Sequence, residues 1–156
     1  MATVYIAKDM SGLADRLAKQ NTSAGKQIFP TYMSAMVFAA MVGRSSGNER
    51  TAVDSKNRGP EIYDDIFARG QMDSVAFLLA LQDAKNGEIL RDKNDAEAWK
   101  SIEEHAATGF REISNWLLEN ASDTDGVETI LTEMKGQARK IMLESGEDPT
   151  IDPITF

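Results

Sequence analysis

Apolar residues recur at spacings of three and four through most of the chain, and that period predicts helices. The longest run opens at Asn94 or Asp95 and continues to about Glu119, with Trp99, Ile102, Ala106, Phe110, Ile113 and Leu117 on one stripe. An α-helix of that length reaches roughly 38 Å. Gly109 sits inside it, where glycine costs about 1 kcal/mol relative to alanine, so a close helix crossing or a break is expected there. A second helix starts at Pro30, tolerated in a first turn, and runs to Val42, with Gly43 as its expected stop. Its residues Met33, Met36, Val37, Ala40 and Met41 form the stripe, which Phe38 and Val42 widen.

Shorter elements fill the rest. Thr3–Ala7 is β-branched and aromatic, as an extended segment would be. Ser11 caps a short helix with Leu13 and Leu17 inward. A helix is expected over Glu61–Ala68 with Ile62, Ile66 and Phe67 inward, and another from Asp73 through Gln82. Asn86–Gly87 marks a turn, and Glu88–Leu90 reads as extended. Asp123 or Thr124 caps a last helix bearing Val127, Ile130, Leu131, Met134, Ala138, Ile141 and Met142. The fold class expected is all-α, a compact helical bundle of five to six helices, with one short N-terminal extended segment. Residues 1–144 are expected to form a single helical domain, and 145–156 an irregular C-terminal tail with two prolines.

Composition narrows the chemistry. The chain of 156 residues has no cysteine and one histidine, which argues against disulfides, thiol nucleophiles, cysteine-ligated metals and His-rich metal sites. The longest apolar run, Ala35–Val42, is far shorter than a bilayer span, so no membrane association and a cytoplasmic location are expected. The net charge of −8 is unevenly spread. Residues 1–60 hold eight Lys and Arg against four Asp and Glu, while residues 61–156 hold nine against 21.

The segment 44–60 is the longest stretch with no helical or strand pattern, and such loops are often functional. Its Arg44, Arg50, Lys56 and Arg58 are candidate contacts for an anion or for nucleic acid, because nearby glycines and serines let backbone approach phosphate. His105, by contrast, has Ser101, Ile102, Thr108 and Gly109 as its helical neighbours, none a carboxylate. It is therefore expected at a boundary or on the surface, without a general-base role. Glu61, Asp64 and Asp65 could together hold a divalent metal, but they are better read as a solvated helix face. No phosphate-binding glycine motif and no metal-ligand spacing occurs in the sequence. No catalytic residue, cofactor or metal is expected. Trp99 and Trp116 are expected as core anchors.

Four stretches carry a resemblance: IFPTYMSAMVFAAMVGRSSGNER, EIYDDIF, DSVAFLLALQDAKNGEIL and IEEHAATGFREISNWL. They resemble small accessory proteins encoded with DNA phosphorothioation (Dnd) defence systems. The matching positions are Phe38, Ala39, Ala40 and Gly43, then Ala80, Leu81, Ile89 and Leu90, and finally Glu104, Ala106, Gly109 and Phe110. The match covers roughly residues 28–120, and it carries no catalytic residue; His105 and the acidic last third are not features of the family pattern. The resemblance implies bacterial anti-phage or restriction biology. With the residue reading it gives a non-catalytic accessory or regulatory protein acting on other defence-system proteins, with DNA contact through the 44–58 loop and room for a homo-oligomer. The alternatives are an acidic DNA mimic that occupies a DNA-binding protein and, behind it, a metal-dependent nuclease subunit using Glu61, Asp64 and Asp65.

Overall fold

The computed structural model describes residues 2–146. Its elements are β1 (Thr3–Ala7), α1 (Ser11–Ala18), α2 (Tyr32–Ser45), β2 (Arg58–Tyr63), α3 (Asp64–Arg69), α4 (Asp73–Ala84), α5 (Asp95–Glu119) and α6 (Val127–Ser145). Single 3-10 turns cover Lys8–Met10, Gly87–Leu90 and Asp92–Asn94. The protein is mostly helical but not purely all-α: β1 and β2 pair antiparallel, with Val4 opposite Ile62 and an irregularity between Tyr5 and Ala7.

The strand β2 corrects the sequence reading, which put a helix over Glu61–Ala68. Arg58-Gly-Pro-Glu-Ile-Tyr63 has one buried residue, Ile62, so neither strand alternation nor a helical stripe is visible in it. Pro60 lacks an N–H and sits at the irregular part of the ladder, where a missing rung is tolerated. The helix that follows starts only at Asp64. Glu88–Leu90, expected extended, belongs to the 3-10 turn Gly87–Leu90, which opens with the Asn86 side chain accepting from the Glu88 N–H.

The described residues fall into two compact units, divided between Ser114 and Asn115. In the first, α2 and α5 cross at glycine. A Cβ on Gly109 would collide with the Ala39 carbonyl and lie 2.8 Å from the Gly43 nitrogen. A Cβ on Gly43 would in turn collide with the His105 carbonyl. Gly43 is thus not the stop of α2, which continues to Ser45; its missing side chain is used sideways, for helix contact. Gly109 marks a close crossing and no break. At its other end α2 begins with a reciprocal cap, Thr31 Oγ1 accepting from Ser34 N–H and Ser34 Oγ accepting from Thr31 N–H, both at 3.1 Å. Pro30 therefore precedes the cap rather than entering the first turn. Thr31→Ala is expected to cost about 1 kcal/mol, read as a lower urea midpoint with unchanged slope.

Residues 101–110 of α5 are buried without a break. The helix runs through the middle of its unit, with Ile102, Ala106 and Phe110 on the apolar side. Trp99 is buried against Phe67 and Phe77, with ring centroids 5.2 and 5.7 Å away. The polar side of α5 is covered by the segment 46–57. Thr51 N–H donates to the Glu104 carbonyl at 3.3 Å, and the Thr108 hydroxyl donates to the Glu49 carbonyl at 3.0 Å. Asn48 donates to Glu112 at 2.6 Å, and Val53 packs with Ala7 and Ala107.

In the second unit Asp123 organises the start of α6, accepting from Gly126 N–H at 3.1 Å and from both Thr129 N–H and its hydroxyl at 2.8 Å. Trp116, Leu117 and Ile130 are buried. Of the apolar stripe expected to face the core, Ile130 is buried, Val127, Ala138 and Met142 are half-buried, and Leu131, Met134 and Ile141 are exposed. Ser145 closes α6; the remainder of the expected tail, from residue 147, lies outside the described residues.

Candidate functional site

The covering of α5 brings together side chains that the sequence keeps far apart. Asp83, one residue before the end of α4, meets Ser101 and His105, one turn apart on α5. The Ser101 hydroxyl donates to Asp83 Oδ2, and His105 Nε2 lies 3.0 and 3.1 Å from the two carboxylate oxygens. Arg50 reaches in from the covering segment, 3.1 Å from Asp83 and 3.5 Å from Glu104. Lys100 lies 3.9 Å from Glu104 on its other side. Burial pushes the Asp83 carboxyl up, but the hydrogen bonds from Ser101 and His105, with the charges of His105 and Arg50, outweigh it and hold the group below its ordinary value.

His105 is 3% exposed, which corrects the expectation of a boundary or surface residue. Its polar helix face is buried because the 46–57 segment lies over it. The order of partners also matters. In a serine–histidine–aspartate relay the histidine stands between the other two. Here the aspartate stands between serine and histidine, and His105 Nδ1 is buried without a partner. The arrangement supplies no nucleophile–base pair; it ties α4, α5 and the covering segment together.

The four cations singled out in the sequence have separate surroundings. Arg50 is bound into the cluster just described. Arg58 lies over the Tyr5 ring, its guanidinium carbon 4.5 Å from the centroid. Arg44 Nε donates to Gln82 at 3.1 Å, and Lys56 is exposed beside Asp54, whose carboxylate accepts the Lys56 N–H at 3.0 Å. Nor are the three carboxylates proposed for a metal gathered. Asp64 accepts the Ala2 N–H at 2.8 Å, Asp65 pairs with Arg69, and Glu61 accepts the Tyr63 hydroxyl at 2.8 Å. Among the described residues no group of three or more His, Asp or Glu side chains is placed to hold a metal ion.

A cavity of about 370 Å³ opens between β1, the 52–58 segment and α5. Glu103 lines it, 9% exposed, with Oε2 accepting the Tyr5 N–H at 2.7 Å. Burial raises the Glu103 carboxyl above its ordinary value, with Glu104 adding to the shift, while the Tyr5 hydrogen bond and the charges of Arg58 and Lys100 oppose it. Neither Asp83 nor Glu103 is legible as a site residue in the sequence. The one available signal was Ser101 and His105 four apart on one helix, but the carboxylate they share comes from another helix.

Comparison with known proteins adds one finding. No curated protein sequence and no solved structure matches the chain. A family model described as DNA sulphur modification system-associated protein 4 matches residues 3–148. That span takes in both strands, all six helices of the described residues, the Asp83 cluster and the cavity. The chain belongs to the DNA sulphur modification system-associated protein 4 family.

Proposed function

We propose that this protein is a non-catalytic accessory subunit of a DNA sulphur-modification system serving anti-phage defence, and that it acts by binding other proteins of that system. Membership of the family supports the association. The observation that carries the binding role is the row of exposed apolar side chains on one face of α6, Leu131, Met134 and Ile141. Exposed large apolar residues gathered on one element mark protein contact surfaces more often than solvated ones do. The internal commitments of Asp83, Ser101 and His105 to one another fit a protein whose polar groups hold it together rather than turn over a substrate.

DNA contact through the 44–58 segment is the second part of the reading. Arg50 and Arg58 are occupied within the fold, so Arg44 and Lys56 would supply the phosphate contacts. Two such contacts give a salt dependence of about two units of slope.

Co-expression of the full chain with the other proteins of its system tests the main claim. Wild type is expected to co-purify with at least one of them, and Met134→Asp with Ile141→Asp to lose it while keeping helical circular dichroism. Absence of any co-purifying partner, or retention of the partner by the double variant, refutes the α6 surface. Arg44→Gln with Lys56→Gln should flatten the salt dependence of duplex binding; no binding of wild type at low salt removes the DNA contact.

A further inference from the structure

The cavity beside β1 is lined by a buried carboxylate and by the free edge of a strand. Ala2 accepts the Asp64 N–H at 3.1 Å, so Ala2 and Val4 face β2 and the alternation turns the main-chain groups of Thr3 and Tyr5 to the opposite edge of β1. That edge borders the cavity. The Tyr5 N–H is taken by Glu103 Oε2, which leaves the Thr3 N–H and the carbonyls of Thr3 and Tyr5 on this edge. Glu103 is nine-tenths buried, and among the described residues it has no ion pair within 4 Å and its second oxygen, open to the space it lines, has no partner. The two cations on the wall, Arg58 over Tyr5 and Lys100 facing Glu104, act on the Glu103 carboxyl through their charge without pairing with it directly. Asp54 accepts from the N–H groups of Lys56 and Asn57 in its own loop. Ala2, Ala52, Val53 and Ala96 supply apolar wall.

A buried carboxylate without a direct ion pair is costly, and a donor-rich cation placed against its free oxygen offsets that cost. We propose that this cavity binds a guanidinium or primary ammonium head carried on an apolar stem. The head donates to the free oxygen of Glu103 and to the carbonyls at the edge of β1, and the stem lies along the alanine and valine wall. Such a head is found both on small alkyl amines and on the arginine and lysine side chains of proteins. The inference is independent of the α6 surface and of DNA binding.

The test uses the full chain labelled with ¹⁵N. Agmatine represents the free amine, and Nα-acetyl-arginine methylamide the side chain on a peptide backbone; the matching citrulline methylamide is a neutral control of the same shape. Saturable amide shifts at Thr3, Tyr5, Ala96 and Lys100 are expected with one or both cations, with a dissociation constant on the order of millimolar, and none with the citrulline compound. A response to agmatine alone assigns a free amine, and a response to the arginine compound alone assigns a protein side chain. Glu103→Gln should weaken binding at least tenfold. Should that variant fail to fold, Ala96→Leu fills the cavity from an exposed helix position and should abolish the same shifts. The proposal is overturned if neither cation gives a saturable shift at these residues. It is equally overturned if citrulline methylamide binds as well as the arginine compound, if folded Glu103→Gln binds as tightly as wild type, or if folded Ala96→Leu does.

Discussion

Gly109→Ala is expected to be among the most damaging single-methyl additions available to this chain. The new Cβ would collide with the Ala39 carbonyl, and both atoms belong to helical backbone that cannot rotate out of the way. Relief requires α2 and α5 to move apart along the whole contact, which also loosens Gly43 against His105. The expected cost is about 3 kcal/mol or more, at the upper end of overpacking effects. For a unit of this size that lowers the thermal midpoint by on the order of 10 °C. Gly136→Ala provides the contrast. It lies inside α6 with open space where its Cβ would go, and helix propensity there should make the change neutral or stabilising by up to about 1 kcal/mol. A calorimetric comparison of the two variants checks the claim, and similar midpoints for both would refute the close crossing.

Asp83→Ala should come next in size. It removes the shared acceptor of Ser101, His105 and Arg50 at once, leaving the buried hydroxyl and imidazole without that partner. Leaving buried polar groups unsatisfied costs about 1–3 kcal/mol each where water cannot reach them, so about 3 kcal/mol is expected in all. The effect depends on pH in a defined direction. The folded-state carboxyl titrates below its ordinary value of 3.8, so the unfolded chain takes up the proton first as pH falls. The stabilisation is therefore complete above the ordinary value and drains away as pH falls through the depressed one. Urea midpoints of wild type and Asp83→Ala should differ most above about pH 5 and converge under strong acid. A difference that grows on acidification would contradict the assignment.

How much of this was visible beforehand depends on whether an element speaks for itself. The bounds of α5 and of β1 follow from local signals, Asp95 at the start of a long three-and-four period and the β-branched run Thr3–Ala7. Both tryptophans are buried, as the stripe predicts. β2 was illegible because a strand with one buried residue is defined by its partner, and that partner lies some 60 residues earlier. The environment of His105 was misjudged for a related reason. Periodicity assigns a polar helix face to solvent, whereas Glu103, Glu104, His105 and Thr108 are covered by a segment with hardly an apolar residue. That segment is held by hydrogen bonds from Thr51 and Asn48, which leave no hydropathy trace. On α6 the stripe was legible but its burial was not, since periodicity says which residues share a face and not whether anything lies against it.

The pairing of Thr3 with Tyr63 closes a ring of chain. Joining ends separated by about 60 residues costs roughly 3.6 kcal/mol beyond a constant, whatever the intervening chain does. A two-stranded ladder in water contributes too little from its rungs to meet that. The closure is offset by side chains: Val4, Ile6 and Ile62 are each at most 3% exposed. In the entropy of the chain β1 is therefore a clasp, its grip apolar, and α1, α2 and the whole covering segment are what it holds shut.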